Sequence, residues 1–128
     1  VILYLASDLV WATKIKSMGE DVGVPCRPVR NLDMLTARLA DTPDIKGLIL
    51  DLESPDTALA LLTFVRDPAN AEKCRNIRVI AFAPHVKRDI MQAAVDAGAH
   101  QVLPRGAFDH DLADILIRLE GTTRIPRP

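Results

Sequence analysis

Gly47-Leu48-Ile49-Leu50-Asp51-Leu52 is the stretch that decides the fold. Leu48, Ile49 and Leu50 are apolar with no polar alternation, the pattern of a strand covered on both faces, as a central parallel strand is. Asp51 then places a carboxylate at the end of that strand. The flanks are helical. Ahead of it, Leu32, Leu35 and Leu39 form an apolar stripe that begins at Asn31, an N-cap residue type, and is broken by Thr42-Pro43-Asp44. Behind it, Ala58, Leu61, Leu62 and Val65 recur at helical spacing.

The same alternation runs through the whole chain. Residues 1–6 read as a buried strand. Trp11, Ile15, Met18 and Val22 share one helix face, which Gly23 ends. Residues 24–29 read as a weak strand that Pro25 and Pro28 confine to an edge. Asp67-Pro68-Ala69-Asn70 reads as a loop. Residues 77–83 form a second central strand, stopped by Pro84. Ile90, Met91, Ala94 and Ala97 line a helix closed by Gly98, residues 101–103 a short strand, and Leu112, Ile115, Leu116 and Leu119 a last helix. Five β-α units in strict alternation predict an α/β, flavodoxin-like, doubly wound parallel sheet of five strands, order 2-1-3-4-5, with five helices. The expected organisation is one domain over residues 1–120 and a loose polar tail over 121–128.

Composition narrows the function classes. The chain has 128 residues, 48% of them hydrophobic, enough for a core. Sixteen basic and 17 acidic residues exclude a globally basic nucleic-acid binder. Arg75, Arg78, Lys87 and Arg88 fall on separate loops and a helix start and read as solvated charges. Only 4% of residues are aromatic, too few for a base-stacking platform. Cys26 and Cys74 have no metal or redox spacing and read as small apolar residues in a reducing compartment. No apolar run approaches the roughly 18–20 residues of a membrane span. The chain opens on a strand with no basic leader, so the expectation is a cytoplasmic protein with no membrane or direct nucleic-acid partner.

In doubly wound sheets, sites lie at the carboxyl ends of the strands. Those ends carry Ala6-Ser7-Asp8, Asp51-Leu52-Glu53, Ala83-Pro84-His85 and Pro104-Arg105-Gly106. His85 has no nucleophile beside it and reads as a surface loop residue. Residues 7–11 after the first strand lack glycine and bring an acid early, which excludes a flavin phosphate loop. Three segments, Leu48-Ile49-Leu50-Asp51-Leu52-Glu53-Ser54-Pro55-Asp56, Val79-Ile80-Ala81-Phe82-Ala83 and Ala93-Ala94-Val95-Asp96-Ala97-Gly98-Ala99, stand in order and at near-family spacing. In these the chain resembles the CheY-like receiver domain of two-component response regulators, from Val1 to about Leu119.

The resemblance implies a chemistry. An aspartate after the third strand attacks a phosphoryl donor, and two acids after the first strand help to hold Mg²⁺. A Ser or Thr after the fourth strand and a Lys after the fifth bind the phosphoryl group. Asp51 matches the phosphoacceptor. The acidic pair falls on Ala6-Ser7 when the first helix is matched without a gap, the favoured match. A one-residue shift puts it on Ser7-Asp8 and leaves Asp8 and Asp51 as possible Mg²⁺ ligands. The hydroxyl position is Ala83, the lysine position is Arg105, and the aromatic expected in the fifth strand falls on Val102.

Ala83 cannot coordinate a phosphoryl oxygen, and a planar guanidinium does not replace a compact ammonium. The expected cofactor set is therefore empty, with Mg²⁺ doubtful, and Glu53 reads as a solvated strand-end acid. Arg105 is expected to reach across and pair with Asp51. By analogy with receivers, Val86, Asp89, His100, Asp109, His110 and Ala113 are expected to form a partner face. The leading expectation is a pseudo-receiver, a non-enzymatic, phosphorylation-independent interaction module in a bacterial two-component pathway. Its partner would be a histidine kinase, an output domain, another signalling protein or a second copy of the chain. The alternatives are an active phosphoacceptor using Asp51 with Mg²⁺ and a small-molecule-binding flavodoxin-like domain.

Overall fold

The structure is a computed structural model that describes residues 1–121. The strands are β1 (Ile2–Leu5), β2 (Cys26–Pro28), β3 (Gly47–Asp51), β4 (Arg78–Ala83) and β5 (Gln101–Pro104). All neighbours pair in parallel, in the order β2-β1-β3-β4-β5. This is the predicted flavodoxin-like sheet. The long helices are α1 (Leu9–Val22), α2 (Leu32–Asp41), α3 (Pro55–Arg66), α5 (Arg88–Asp96) and α7 (Leu112–Gly121), with the shorter α4 (Ala71–Cys74) and α6 (Arg105–His110) between them.

Side-chain alternation along the strands builds two cores, one on each face of the sheet. Leu3, Leu5, Leu48, Leu50, Val79 and Ala81 point to the face covered by α2, α3 and α5. Ile2, Tyr4, Ile49, Ile80 and Phe82 point to the face covered by α1, α6 and α7. Four predicted positions on α3 and four on α7 are all buried. Asn31 caps α2 by accepting the Met34 N–H at 2.8 Å.

Five helices were expected and seven α-helices are present among the described residues. Asp67-Pro68-Ala69-Asn70 was read as a loop. Asp67 instead accepts the Ala69 N–H at 2.9 Å and starts a 3₁₀ turn (Pro68–Asn70) that leads into α4. The second addition, α6, begins at Arg105, where the sequence reading placed a loop, and it buries Phe108 completely. Leu32, placed on the apolar stripe of α2, is 40% exposed, because it sits in the first turn, beyond the sheet edge that Leu35 covers. The helix α7 runs through Gly121, the first residue of the expected tail, and the rest of that tail, residues 122–128, lies outside the described residues.

The edge strand β2 is held by a close approach of α1. The Gly19 carbonyl accepts the Val24 N–H at 2.8 Å. A Cβ on Gly19 would lie 2.7 Å from both the Val24 carbonyl oxygen and the Cys26 Sγ. The same packing half-buries Cys26 and pushes its thiol up to about 11, mainly by desolvation. Gly19→Ala gains up to about 1 kcal/mol of helix propensity. The overpacking against backbone costs roughly 1–3 kcal/mol, so the net effect is destabilisation. Urea unfolding followed by fluorescence of Trp11, the one tryptophan, checks this; an unchanged midpoint would contradict the close approach.

Candidate functional site

Asp51 is the one buried charged side chain among the described residues, at 1% exposure. It terminates β3, where the strand ends open between the loops that follow β1, β3 and β4. The register Leu5↔Leu50 brings the β1–α1 loop beside it. The Ser7 N–H donates to Oδ2 at 2.9 Å and the Ser7 hydroxyl donates to the same oxygen at 2.5 Å. The Glu53 N–H donates to Oδ1 at 3.0 Å. A carboxylate leaves water at a cost of several kcal/mol unless its lone pairs are met by donors. Here three donors meet them, two from one loop and one from the chain's own turn. Ser54 N–H closes that turn on the Asp51 carbonyl at 3.3 Å.

The Asp8 side chain is engaged at the start of α1. Its Oδ1 accepts the Trp11 N–H at 2.9 Å, which makes it the N-cap of α1. Ser7, one residue earlier, is therefore the residue opposite Asp51. Ala83 ends β4, fully buried, paired in register with Pro104. Its methyl group offers no hydroxyl. Glu53 contributes its backbone N–H to the site and leaves its side chain exposed.

The expected Arg105–Asp51 pair does not form. Arg105 is exposed and makes no ion pair among the described residues. The chain enters α6 at Arg105 directly from β5, and the Asp51 oxygens are already taken by nearer neutral donors.

Beneath the strand ends lies an aromatic cluster. Phe82, the register partner of Asp51 on β4, stacks on Phe108 of α6, with ring centroids 4.1 Å apart and planes 4° from parallel. Trp11 of α1 tilts against both, at 4.9 and 5.7 Å. The Lys14 ammonium lies 4.9 Å from the Trp11 ring and 3.0 Å from Asp109. The sequence reading missed this cluster. Its signal was the spacing of Phe108 with Leu112, Ile115, Leu116 and Leu119, which carries the last apolar stripe one turn toward the N-terminus.

The six residues assigned to a partner face are spread over the molecule. Val86 and Asp89 line a cleft of about 490 Å³ beside the Asp51 loop, between the starts of α3 and α5. His100 lies at the opposite end of the sheet, in a second cleft of about 450 Å³ with Arg78 and Arg118. Asp109 is tied to Lys14 on α1. His110 contacts Asp111 at 2.8 Å, and Ala113 is half-buried on α7.

No protein-family model matches the chain, and no curated protein sequence matches it. Solved structures do match. The chain is similar to the receiver domain of NtrX from Brucella abortus, with a TM-score of 0.74 and 17% identity over 96% of this chain and 100% of that one. It is similar to a response regulator receiver domain protein from Clostridium thermocellum, with a TM-score of 0.72 and 18% identity over 96% and 95%. A response regulator protein from Burkholderia pseudomallei, solved with a phosphorylated aspartic acid, a calcium ion and citrate, matches with a TM-score of 0.67 and 18% identity over 96% and 69%. The chain has the fold of response-regulator receiver domains.

Two predictions concern the polar groups of this scaffold. Ser7→Ala removes the hydroxyl donor from a buried carboxylate and should cost about 1.5–3 kcal/mol in denaturant unfolding at neutral pH; undiminished stability would show that the bond carries no weight. The His100 Nδ1 accepts the Val79 N–H at 2.9 Å, which requires a ring without a proton there. Burial, then Arg66 and Arg78, lower the pKa of His100 below its ordinary 6.5. A proton therefore binds the unfolded chain more readily than the folded one. The stability contribution is complete above about 6.5 and is lost as pH falls from there toward the lowered value. Melting temperatures taken downward from neutral pH should fall less steeply in His100→Gln than in the parent, and equal slopes would sink the assignment.

Proposed function

We propose that this domain is a receiver-fold signalling module that acts by protein contact, without phosphorylation of Asp51 and without catalysis of its own. The observation that carries this is the state of Asp51: both carboxylate oxygens accept hydrogen bonds from neutral donors, Ser7 N–H, Ser7 O–H and Glu53 N–H. A phosphoryl donor approaches a carboxylate as one anion approaches another. The approach needs a cation to offset the repulsion, and positioned donors to take up charge on the phosphoryl oxygens.

The residues here do not fit that task. Mg²⁺ binds oxygen in near-octahedral order and is usually held by carboxylates plus waters. Among the described residues no three acidic, histidine or cysteine side chains gather for a metal. The Asp8 carboxylate is committed to the N-terminus of α1. Ala83 has no hydroxyl, and Arg105 is exposed on α6 without a partner at the site. On this reading the domain keeps the receiver's surfaces for a histidine kinase, an output domain or another signalling protein of a bacterial two-component pathway, in the cytoplasm. Among the described residues no helix is long and apolar enough to cross a membrane.

A second reading, an active phosphoacceptor, is favoured by the placement of Asp51 at the end of β3 and by the phosphorylated aspartic acid in the similar Burkholderia protein. One experiment separates the two. The protein is incubated with Mg²⁺ and acetyl phosphate and its intact mass is read at neutral pH. The expected result is an unchanged mass. A stoichiometric phosphoryl increment that disappears in Asp51→Asn would overturn the proposal and install the second reading.

A further inference from the structure

The cleft beside Asp51 has two walls of opposite chemistry. One wall is the β3–α3 turn, with Leu52, Glu53 and Pro55; the other is the start of α5, with Val86, Lys87, Arg88, Asp89 and Ile90. The side chains of Glu53, Lys87 and Arg88 make no ion pair among the described residues, although all three line one cleft. Leu52, Pro55 and Ile90 give the cleft an apolar lining. Val86 stands at its lip, 70% exposed.

In a two-fold interface residue i of one copy meets residue j of the other while j meets i, so the patch must complement itself. This cleft meets that requirement twice. It carries an acid on one wall and two bases on the other, and it carries an exposed apolar knob next to an apolar hollow. A partner of a single charge sign would be repelled by one wall. Asp89, beside Arg88, leaves the α5 wall net positive by one charge. We infer that this cleft is a self-association surface, in which Val86 of each copy enters the other's hollow while Glu53 meets Lys87 and Arg88 across the axis. The inference deepens the interaction-module reading by naming a second copy as one partner.

Sedimentation equilibrium at protein concentrations up to about 1 mM covers the range in which small interfaces associate. The mass should rise from that of the monomer toward twice it. Glu53→Lys and the double variant Lys87→Glu/Arg88→Glu should each remain monomeric at the same concentration, because each places like charges across the axis. All three residues are exposed, so these changes leave the core untouched. An equimolar mixture of the two variants should regain the dimer, since every contact across the axis is again between opposite charges. A parent that stays monomeric throughout overturns the inference. So does a dimer that survives in both variants, or a mixture that fails to recover. None of these outcomes alters the acetyl phosphate result, so the two proposals fail separately.

Discussion

The structure turns on a single buried carboxylate. Asp51 sits at 1% exposure with Phe82 as its register partner on β4 and Leu50 before it in the middle of the core. Such a group is tolerated only if its hydrogen-bonding capacity is met, because an unmatched buried charge costs several kcal/mol out of a total stability near 5–15 kcal/mol. The matching groups come from two separate turns. Ser7 supplies two donors and Glu53 one. The requirements of Asp51 therefore dictate how the chain leaves both β1 and β3, and with that where α1 begins.

That constraint is backed from below. Trp11 lies one helical turn into α1, close to the Asp8 cap, and packs on Phe82 and Phe108. The stack couples α1, β4 and α6, the elements that bear Ser7–Asp8, Ala83 and Arg105 at their ends. Aromatic pairs at these distances are worth about 0.5–1.5 kcal/mol each beyond the area they bury. A change in the β1–α1 loop would have to move Trp11 against two rings already in contact. The site is thus framed by an aromatic floor that links the start of α1 to β4 and α6.

The sheet, its order and most of the core were legible because they depend on periodicity. Strands with continuous apolar runs and helices with 3.6-residue stripes announce themselves, as β3, α3 and α7 do. Two parts were not legible for physical reasons. The start of α6 depends on whether the chain after Pro104 turns into a helix or extends. Arg105-Gly106-Ala107 carries no preference strong enough to decide, and only the burial of Phe108 against Phe82 does. The Arg105–Asp51 pair was argued from the facing positions that the receiver resemblance implies, whereas side-chain reach is set by the direction of the element. The Ser7 contact was within reach of the sequence: the ungapped match put Ser7 on one position of the acidic pair, and a hydroxyl there is a donor where the receiver pattern has an acid.

That substitution changes the electrostatics of the pocket in one direction. Carboxylates about 4 Å apart repel by roughly 1 kcal/mol in water and about 4 kcal/mol at an effective dielectric near 20. A receiver with an acidic pair beside its aspartate carries that repulsion until a divalent cation offsets it. Here Ser7 replaces an acid with a donor and Asp8 spends its charge on the dipole of α1, a favourable location for an anion. Both Asp51 oxygens are thereby met by hydrogen-bond donors of the chain itself. On the proposed reading, the neutral donors that satisfy the buried Asp51 also remove the unbalanced charge that would draw a metal, and with it a phosphoryl group, to the site.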